Sequence, residues 1–350
     1  MTNPRWTRRP EGSTWGDWGP DDQLGRLNLL TPQKVLQGIA EVKVGRAFCL
    51  SLPLDYPGGN VVNPRRHPPE LMPTFRDGRP NMAVPIRCYD PNSLDVISDD
   101  RVLLTLQYST QWDTLAHVGQ MFDVDGDGRM EDVFYNGYRA GTDIAGPLEY
   151  NRGVDGKPNP VPPGAHKLGV ENIAVTCVQG RAVMIDLLAH HGRSGKVVGY
   201  EELMAILEKD KIVVEEGDMV CFRTGFAELL LEMKKQPDRD VLFKTTSALD
   251  GRDDRLLQWI TDSGAVALFA DNYAVEAQPA MPAPTSDPCT MLPLHAHCLF
   301  KLGCYLGEMW YFTELADWLR ANGRNRFLMT APPLRLPGAV GSPATPVGTV

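Results

Sequence analysis

No stretch of this chain approaches the roughly 18 consecutive apolar residues that a membrane-crossing helix needs. Nor does an apolar segment follow the basic residues of "MTNPRWTRRPEGSTWGDWGPDD", so no secretory signal is expected there. The seven cysteines are odd in number, dispersed and free of any C-x-x-C pair. That pattern argues against a disulfide framework and for reduced thiols in a cytoplasmic protein. Basic residues are scattered, as in "PRWTRRP" and "NPRRHPP", and the formal net charge is −9. A chain of that charge with no basic stripe is not expected to bind nucleic acid or an anionic membrane. There is no G-x-S-x-G elbow, Walker loop or dinucleotide fingerprint, which removes the usual serine-hydrolase and nucleotide-enzyme signatures.

What remains is an ordinary globular composition, 43% hydrophobic over 350 residues, enough for a core that needs no metal to hold it together. Residues 1–30, rich in Trp, Gly, Pro and Asp, read as an irregular arm. The segment 31–45 reads as a helix with Thr31 as cap and Pro32 at its first position. Residues 52–92 carry Pro, Gly and Arg with weak periodicity, a long loop of the kind that serves as a lid or an oligomer contact. Short apolar runs at 101–107, 172–178, 181–188, 218–224 and 265–271 predict strands. Helical patterns at 200–210, 254–264 and 313–323 alternate with them, which predicts an α/β fold with parallel or mixed pairing. The Pro/Gly-rich tail, 331–350, is expected to run extended over the surface or into a neighbouring subunit.

The chemistry concentrates in "LQYSTQWDTLAHVG", residues 106–119, where Gln107, Gln111, Asp113 and His117 follow one another at spacings of four, two and four. On a strand, Gln107, Ser109, Gln111 and Asp113 would share one face, with Trp112 turned to the core and His117 arriving from the next turn. Two readings fit: a metal site at a strand end, or a polar strand end whose amides satisfy backbone groups. "DVDGDGRMEDVF" (123–134) imitates a calcium loop, but Phe134 stands where a bidentate Glu is required, so a Gly-rich hairpin turn is expected. His190 and His191, and the pair Asp271–Asn272 at the end of a predicted strand, are further polar candidates.

The run resembles the metal motif of the cyclase family, which contains kynurenine formamidases, isatin hydrolases and related amide and lactone hydrolases. The family's H-x-G-T-H-x-D-x-P-x-H becomes Q-Y-S-T-Q-W-D-T-L-A-H here, with both leading histidines replaced. The form Q-x-x-x-Q-x-D-x-x-x-H is that of the trans-dienelactone hydrolase-like branch. "WGPDDQLGRLNLLTPQKV", "FADNYAVEAQP", "LPLHAHCLFKLGCYLGE" and "GSPATPV" resemble other family segments, so the likeness extends over most of the chain.

The resemblance implies a single swivelling β/β/α domain of the kynurenine formamidase-like type over residues 1–350, forming homodimers or homotetramers. It also implies a Zn²⁺-dependent hydrolase, with Mn²⁺ as the alternative ion, opening a cyclic ester most like a dienelactone. Cyclic amide or N-formyl amide hydrolysis is the second possibility, and a non-catalytic small-molecule binder on the same scaffold the third. In that reading Asp113 anchors the metal, Gln107 and Gln111 offer neutral oxygens, and His117 ligates or transfers a proton. His295 and Glu308 form the late His…Glu pair, completing the metal shell or acting in catalysis, with His297 as the alternate histidine. Thr110 is expected to orient a ligand from behind.

Overall fold

The computed structural model describes residues 5–150, 156–281 and 289–350. The first four residues of the predicted arm, and 151–155 between the first and second halves of the chain, lie outside the described residues. Nine strands form the central sheet: β1 (Ala47–Cys49), β2 (Gln111–Asp113), β3 (Gln179–Asp186), β4 (Met219–Arg223), β5 (Ala267–Ala270), β6 (Tyr305–Glu308), β7 (Arg326–Thr330), β8 (Gly341–Pro343) and β9 (Val347–Thr349). Their spatial order is β1-β9-β7-β3-β4-β5-β6-β2-β8. The central four, β3 to β6, run parallel, and the strands on both flanks are antiparallel. This is the mixed α/β architecture expected.

Parallel strands covered on both faces read as unbroken apolar runs, and "AVMI" in β3 or "ALFA" in β5 are buried throughout. Because β3 to β6 are parallel, their carboxyl ends lie along one edge of the sheet. Each brings a charged residue there: Asp186, Arg223 and Glu308 end their strands, and Asp271 follows β5. Helices Tyr200–Lys209, Asp254–Ser263 and Thr313–Ala321 lie where the periodicity places them, and the Asp253 side chain caps the second of these. Thr31 caps helix Pro32–Ala40 as expected. Among the described residues no helix is long and apolar enough to cross a membrane.

Trp112 points away from Gln111 and Asp113 into an aromatic cluster, edge-on to Phe269 at 4.8 Å and 6.1 Å from both Tyr305 and Trp310. A ring of that size removes about 150–250 Å² from water, roughly 4–6 kcal/mol at about 25 cal/mol per Å². That burial sets which face of β2 looks out. A one-residue slip would put the indole at the site and the carboxylate in the core.

Three expectations are corrected. Residues 172–178 are not a strand: Val170–Val175 is a short helix whose buried positions, Val170 and Ile173, are three apart and share one face. The run 101–107 is a strand only over Asp100–Leu103, paired with Glu70–Pro73 in an exposed arm, and the chain then turns through Gln107. The tail is not a surface strap. It supplies β8 and β9, with β9 between β1 and β7, and ends on a fully buried Val350. Of its five prolines two meet these strands, Pro343 closing β8 and Pro346 preceding β9, where a missing N–H does little harm; the other three lie in the connection before β8.

The segment 52–92 contains short two-stranded ladders rather than a structureless loop. The calcium-like run is a hairpin turn, as expected, in which the Asp123 carboxylate accepts the N–H groups of Gly126, Asp127 and Gly128.

Candidate metal centre

Antiparallel pairing of β2 with β6 puts Gln111 opposite Glu308 and Asp113 opposite Leu306. Gln111 and Asp113, two apart on β2, share a face, and Glu308 meets them from the neighbouring strand. His295 arrives from a short helical turn, Pro293–His295, that continues into a π-helix over Ala296–Leu302. Candidate ligand atoms of Asp113, His295 and Glu308 all lie within 4.8 Å of one another, and all three residues are buried.

Two local devices hold Glu308 in place. Met309, directly after it, is forced into the left-handed region at φ 55°, where an L-residue is strained. Its N–H is held by the Asn272 carbonyl (2.9 Å), and the Thr110 hydroxyl donates to its carbonyl (2.6 Å). Thr110 is thus bonded to the residue beside Glu308.

The electrostatics are those of a cation site. The Asp113 carboxyl is pushed up by burial and by the nearby Glu308 charge, against the pull of His117, His295 and Arg66. Its Oδ2 is buried with no hydrogen-bond partner. Glu308, although burial works against its charge, is held below the usual carboxylate range by its bond to His295. Burial also works against a charged His295, yet bonds to Glu276 and Glu308 outweigh it and raise the imidazole to about 10. Without a metal, the proton on His295 provides the positive charge between the carboxylates. Two carboxylates, an imidazole and one orphaned buried oxygen suit an ion with mixed N/O preference, such as Zn²⁺ or Mn²⁺. The residues fit a divalent metal.

The other predicted residues are placed differently. Gln111 is fully buried, but its amide nitrogen faces the carboxylates, 3.0 Å from Glu308 Oε2 and 3.4 Å from Asp113 Oδ1. In this orientation it braces the acids rather than offering them an oxygen. Gln107 is not on the strand at all. It stands in the preceding turn with its amide against Gly341 of β8, where a Cβ would come within 2.5 Å of its Nε2. Among the described residues its side chain makes no hydrogen bond to Asp113, His295 or Glu308.

His117 sits in the turn after β2, about one-fifth exposed, with Nε2 3.7 Å from Asp113 Oδ1. His297 faces away from the site and pairs with the Thr261 hydroxyl at 2.9 Å. His190 and His191 lie on a helical turn rather than a strand, and His190 contacts Asp210 at 2.7 Å. Asp271 accepts from the Thr224 hydroxyl and from the backbone N–H groups of Thr224 and Gly225. It ties the end of β5 to the turn after β4.

His297 carries a testable consequence. Burial, then Lys301 and Arg26, lower its imidazole to about 4 from an unfolded value near 6.5. The unfolded chain therefore binds a proton first as pH falls. Stability linked to this group is complete above about pH 6.5 and drains away between there and about pH 4. A His297→Gln variant is expected to show a flatter loss of urea stability across that window; an unchanged slope would remove His297 as its source.

Two residues were passed over in the sequence. Arg66, within "NPRRHPP", reads there as scattered surface charge. In the fold its Nη1 donates to the Gln107 carbonyl at 2.8 Å and lies 3.5 Å from Gln111 Oε1 and 3.8 Å from Glu308 Oε2. Glu276, within "FADNYAVEAQP", lies 2.7 Å from His295 Nδ1 and is 1% exposed. The available signal was its place in a segment that resembles the family's, without a role attached to the acid.

The family model described as "Putative cyclase" matches residues 50–277. A crystal structure of a novel cyclase superposes with a TM-score of 0.71 at 30% identity, covering 97% of both chains. Isatin hydrolase A from Ralstonia solanacearum (TM-score 0.52, 16% identity, 87% of this chain and 91% of that one) shares the fold. So does isatin hydrolase A from Labrenzia aggregata bound to benzyl benzoate (0.53, 13% identity, 87% and 93%). No curated protein matches. With more than half of its length matched by the family model, and a relative at 30% identity along nearly all of it, the chain belongs to the cyclase family.

Proposed function

We propose that this chain is a divalent-metal-dependent hydrolase that opens a cyclic ester, a lactone of the dienelactone type. The observation that carries the reading is the buried Asp113–His295–Glu308 cluster with Asp113 Oδ2 left without a partner. Those three residues hold the ion, Zn²⁺ or alternatively Mn²⁺. When bound, the ion polarises a carbonyl oxygen and acidifies a water.

The rest is the work of the chain's own side chains. Gln111 fixes the Glu308 carboxylate through its 3.0 Å contact. His117, at the rim and 3.7 Å from Asp113, is placed to give a proton to the leaving oxygen as the ring opens. Arg66 commits only Nη1 to the protein; among the described residues its Nε and Nη2 donate to nothing. That free edge is the donor we assign to an oxygen of the substrate. Tyr273, Val62 and Met309, which line the small pocket beside Arg66, supply apolar contact.

Cyclic amide hydrolysis is the second reading, favoured by the shared fold with isatin hydrolases; N-formyl amides are a variant of it. We further propose a homodimer or homotetramer. Across residues 64–103 Asn81 alone is buried, while Leu71, Phe75, Leu94, Val102 and Leu103 are exposed, an apolar surface that a second copy would cover. The free thiols of all seven cysteines support a cytoplasmic setting.

The test is a panel of lactones, cyclic imides and formamides offered to chelator-treated protein before and after adding Zn²⁺ or Mn²⁺. Metal-dependent turnover that is fastest on lactones is the expected result. Preference for cyclic amides selects the second reading. A chain that takes up neither ion and turns over nothing would leave only a non-catalytic binding protein.

A further inference from the structure

The residue with the most constrained geometry around the site is Glu276. It is reached through a strained turn: Ala274 and Val275 are both left-handed, at φ 81° and 59°, a conformation that a β-branched residue adopts only when its surroundings impose it. Three hydrogen bonds impose it. Leu249 N–H donates to the Val275 carbonyl at 3.1 Å, Ala277 N–H returns to the Leu249 carbonyl at 2.9 Å, and Asn272 Nδ2 also reaches the Val275 carbonyl.

The strained turn delivers one carboxylate to three donors. Glu276 Oε2 accepts the N–H of Leu294 at 3.1 Å; Oε1 accepts the N–H of His295 at 3.1 Å and its ring Nδ1 at 2.7 Å. Gly251 makes room for this. A Cβ there would come within 2.2 Å of Glu276 Oε2.

We propose that Glu276 is a positioning residue: bonded to His295 Nδ1, it fixes the tautomer and ring orientation that present Nε2 to the space between Asp113 and Glu308. Of the two carboxylates on the ring Glu276 is the nearer, 2.7 Å from Nδ1 against 3.2 Å between Glu308 and Nε2, so once Nε2 faces an ion the remaining proton sits on Nδ1, where Glu276 accepts it. Partners of this kind behind metal-binding histidines typically matter by about 10–100-fold in affinity. The inference rests on the metal reading above and adds a residue that neither touches the ion nor meets substrate.

The experiment compares wild type with Glu276→Gln for Zn²⁺ affinity, by chelator competition, and for the His295 tautomer, by long-range ¹H–¹⁵N NMR on the ring nitrogens. With Zn²⁺ bound, the wild-type ring is expected as the Nδ1–H form. The variant is expected to show mixed tautomers and bind Zn²⁺ about 10–100-fold more weakly. Circular dichroism verifies that it folds. Should it not fold, Gly251→Ala takes its place, because it displaces the Glu276 carboxylate while leaving the acid and His295 intact; the same two changes are expected. Wild-type affinity and an unchanged tautomer in the folded variant would overturn the positioning role and leave the metal reading standing. A wild-type chain that takes up no Zn²⁺ or Mn²⁺ overturns both.

Discussion

Asp113→Asn is expected to remove metal-dependent turnover, lowering kcat/KM by about 10³-fold or more, and to leave the folded chain as stable as before. The first half follows from charge. Asp113 is fully buried, faces the cluster and carries the unpartnered Oδ2. An amide in its place offers a weak neutral oxygen to an ion whose Lewis acidity is worth several kcal/mol in the transition state, and each 1.36 kcal/mol is tenfold in rate. The second half follows from burial. Without metal, burial and Glu308 both work against the charge on Asp113, so a neutral residue of the same shape relieves a penalty rather than creating one. Urea melts of the metal-free variant should coincide with wild type or lie above it. Retained activity, or a large loss of stability in the metal-free chain, contradicts this assignment.

Asp218→Ala is expected to cost about 3–5 kcal/mol of folding stability while leaving Zn²⁺ affinity of the folded chain unchanged. Asp218 is fully buried at the end of the turn into β4, directly before Met219. Its Oδ1 takes Arg181 Nε at 2.8 Å and Lys34 Nζ at 3.0 Å; its Oδ2 takes Arg181 Nη2 at 2.5 Å and the Glu215 N–H at 2.7 Å. Glu215 also contacts both cations but is two-fifths exposed, so it cannot replace the lost charge in the interior. Removing Asp218 strands two nearly buried cations, and the cost of an uncompensated buried charge exceeds what the pair contributes when intact. The cluster joins helix Pro32–Ala40 to the amino ends of β3 and β4, at the opposite end of the parallel strands from Glu308. Global stability and metal binding should therefore separate. A shift in the urea midpoint worth under about 1 kcal/mol would show that the chain relaxes to solvate Arg181 and Lys34.

The same separation runs through what the residues alone disclosed. Periodicity located the three long helices and three of the four parallel strands, β3 to β5, because each buries a continuous apolar face. It failed at 172–178, where a short apolar run suggested a strand but two buried positions three apart formed a helix. It failed again in the tail, where proline and glycine suggested a surface strap although β8 and β9 are strands of the sheet. The causes differ: at 172–178 one apolar face three residues apart packs as a helix, whereas in the tail pairing with distant strands overrides local preference.

At the site, the spacing of Gln111, Asp113 and His117 and the pairing of His295 with Glu308 were readable in the chain as a polar constellation and a family likeness. Which atoms meet was not. Gln107 leaves the strand before the site begins, and Gln111 turns its nitrogen to the acids because the neighbouring strand brings Glu308 opposite it. Arg66 and Glu276 enter from segments separated from Asp113 by tens or hundreds of residues, and no local pattern marks such a meeting. By itself the sequence determined the alternation that turns Trp112 inward and Asp113 toward the site, the apolar runs that become parallel strands, and the net negative charge of the chain. Only the tertiary structure decided which buried charges face one another, because those distances depend on strand register and on strained turns at Val275 and Met309 that packing from remote residues enforces.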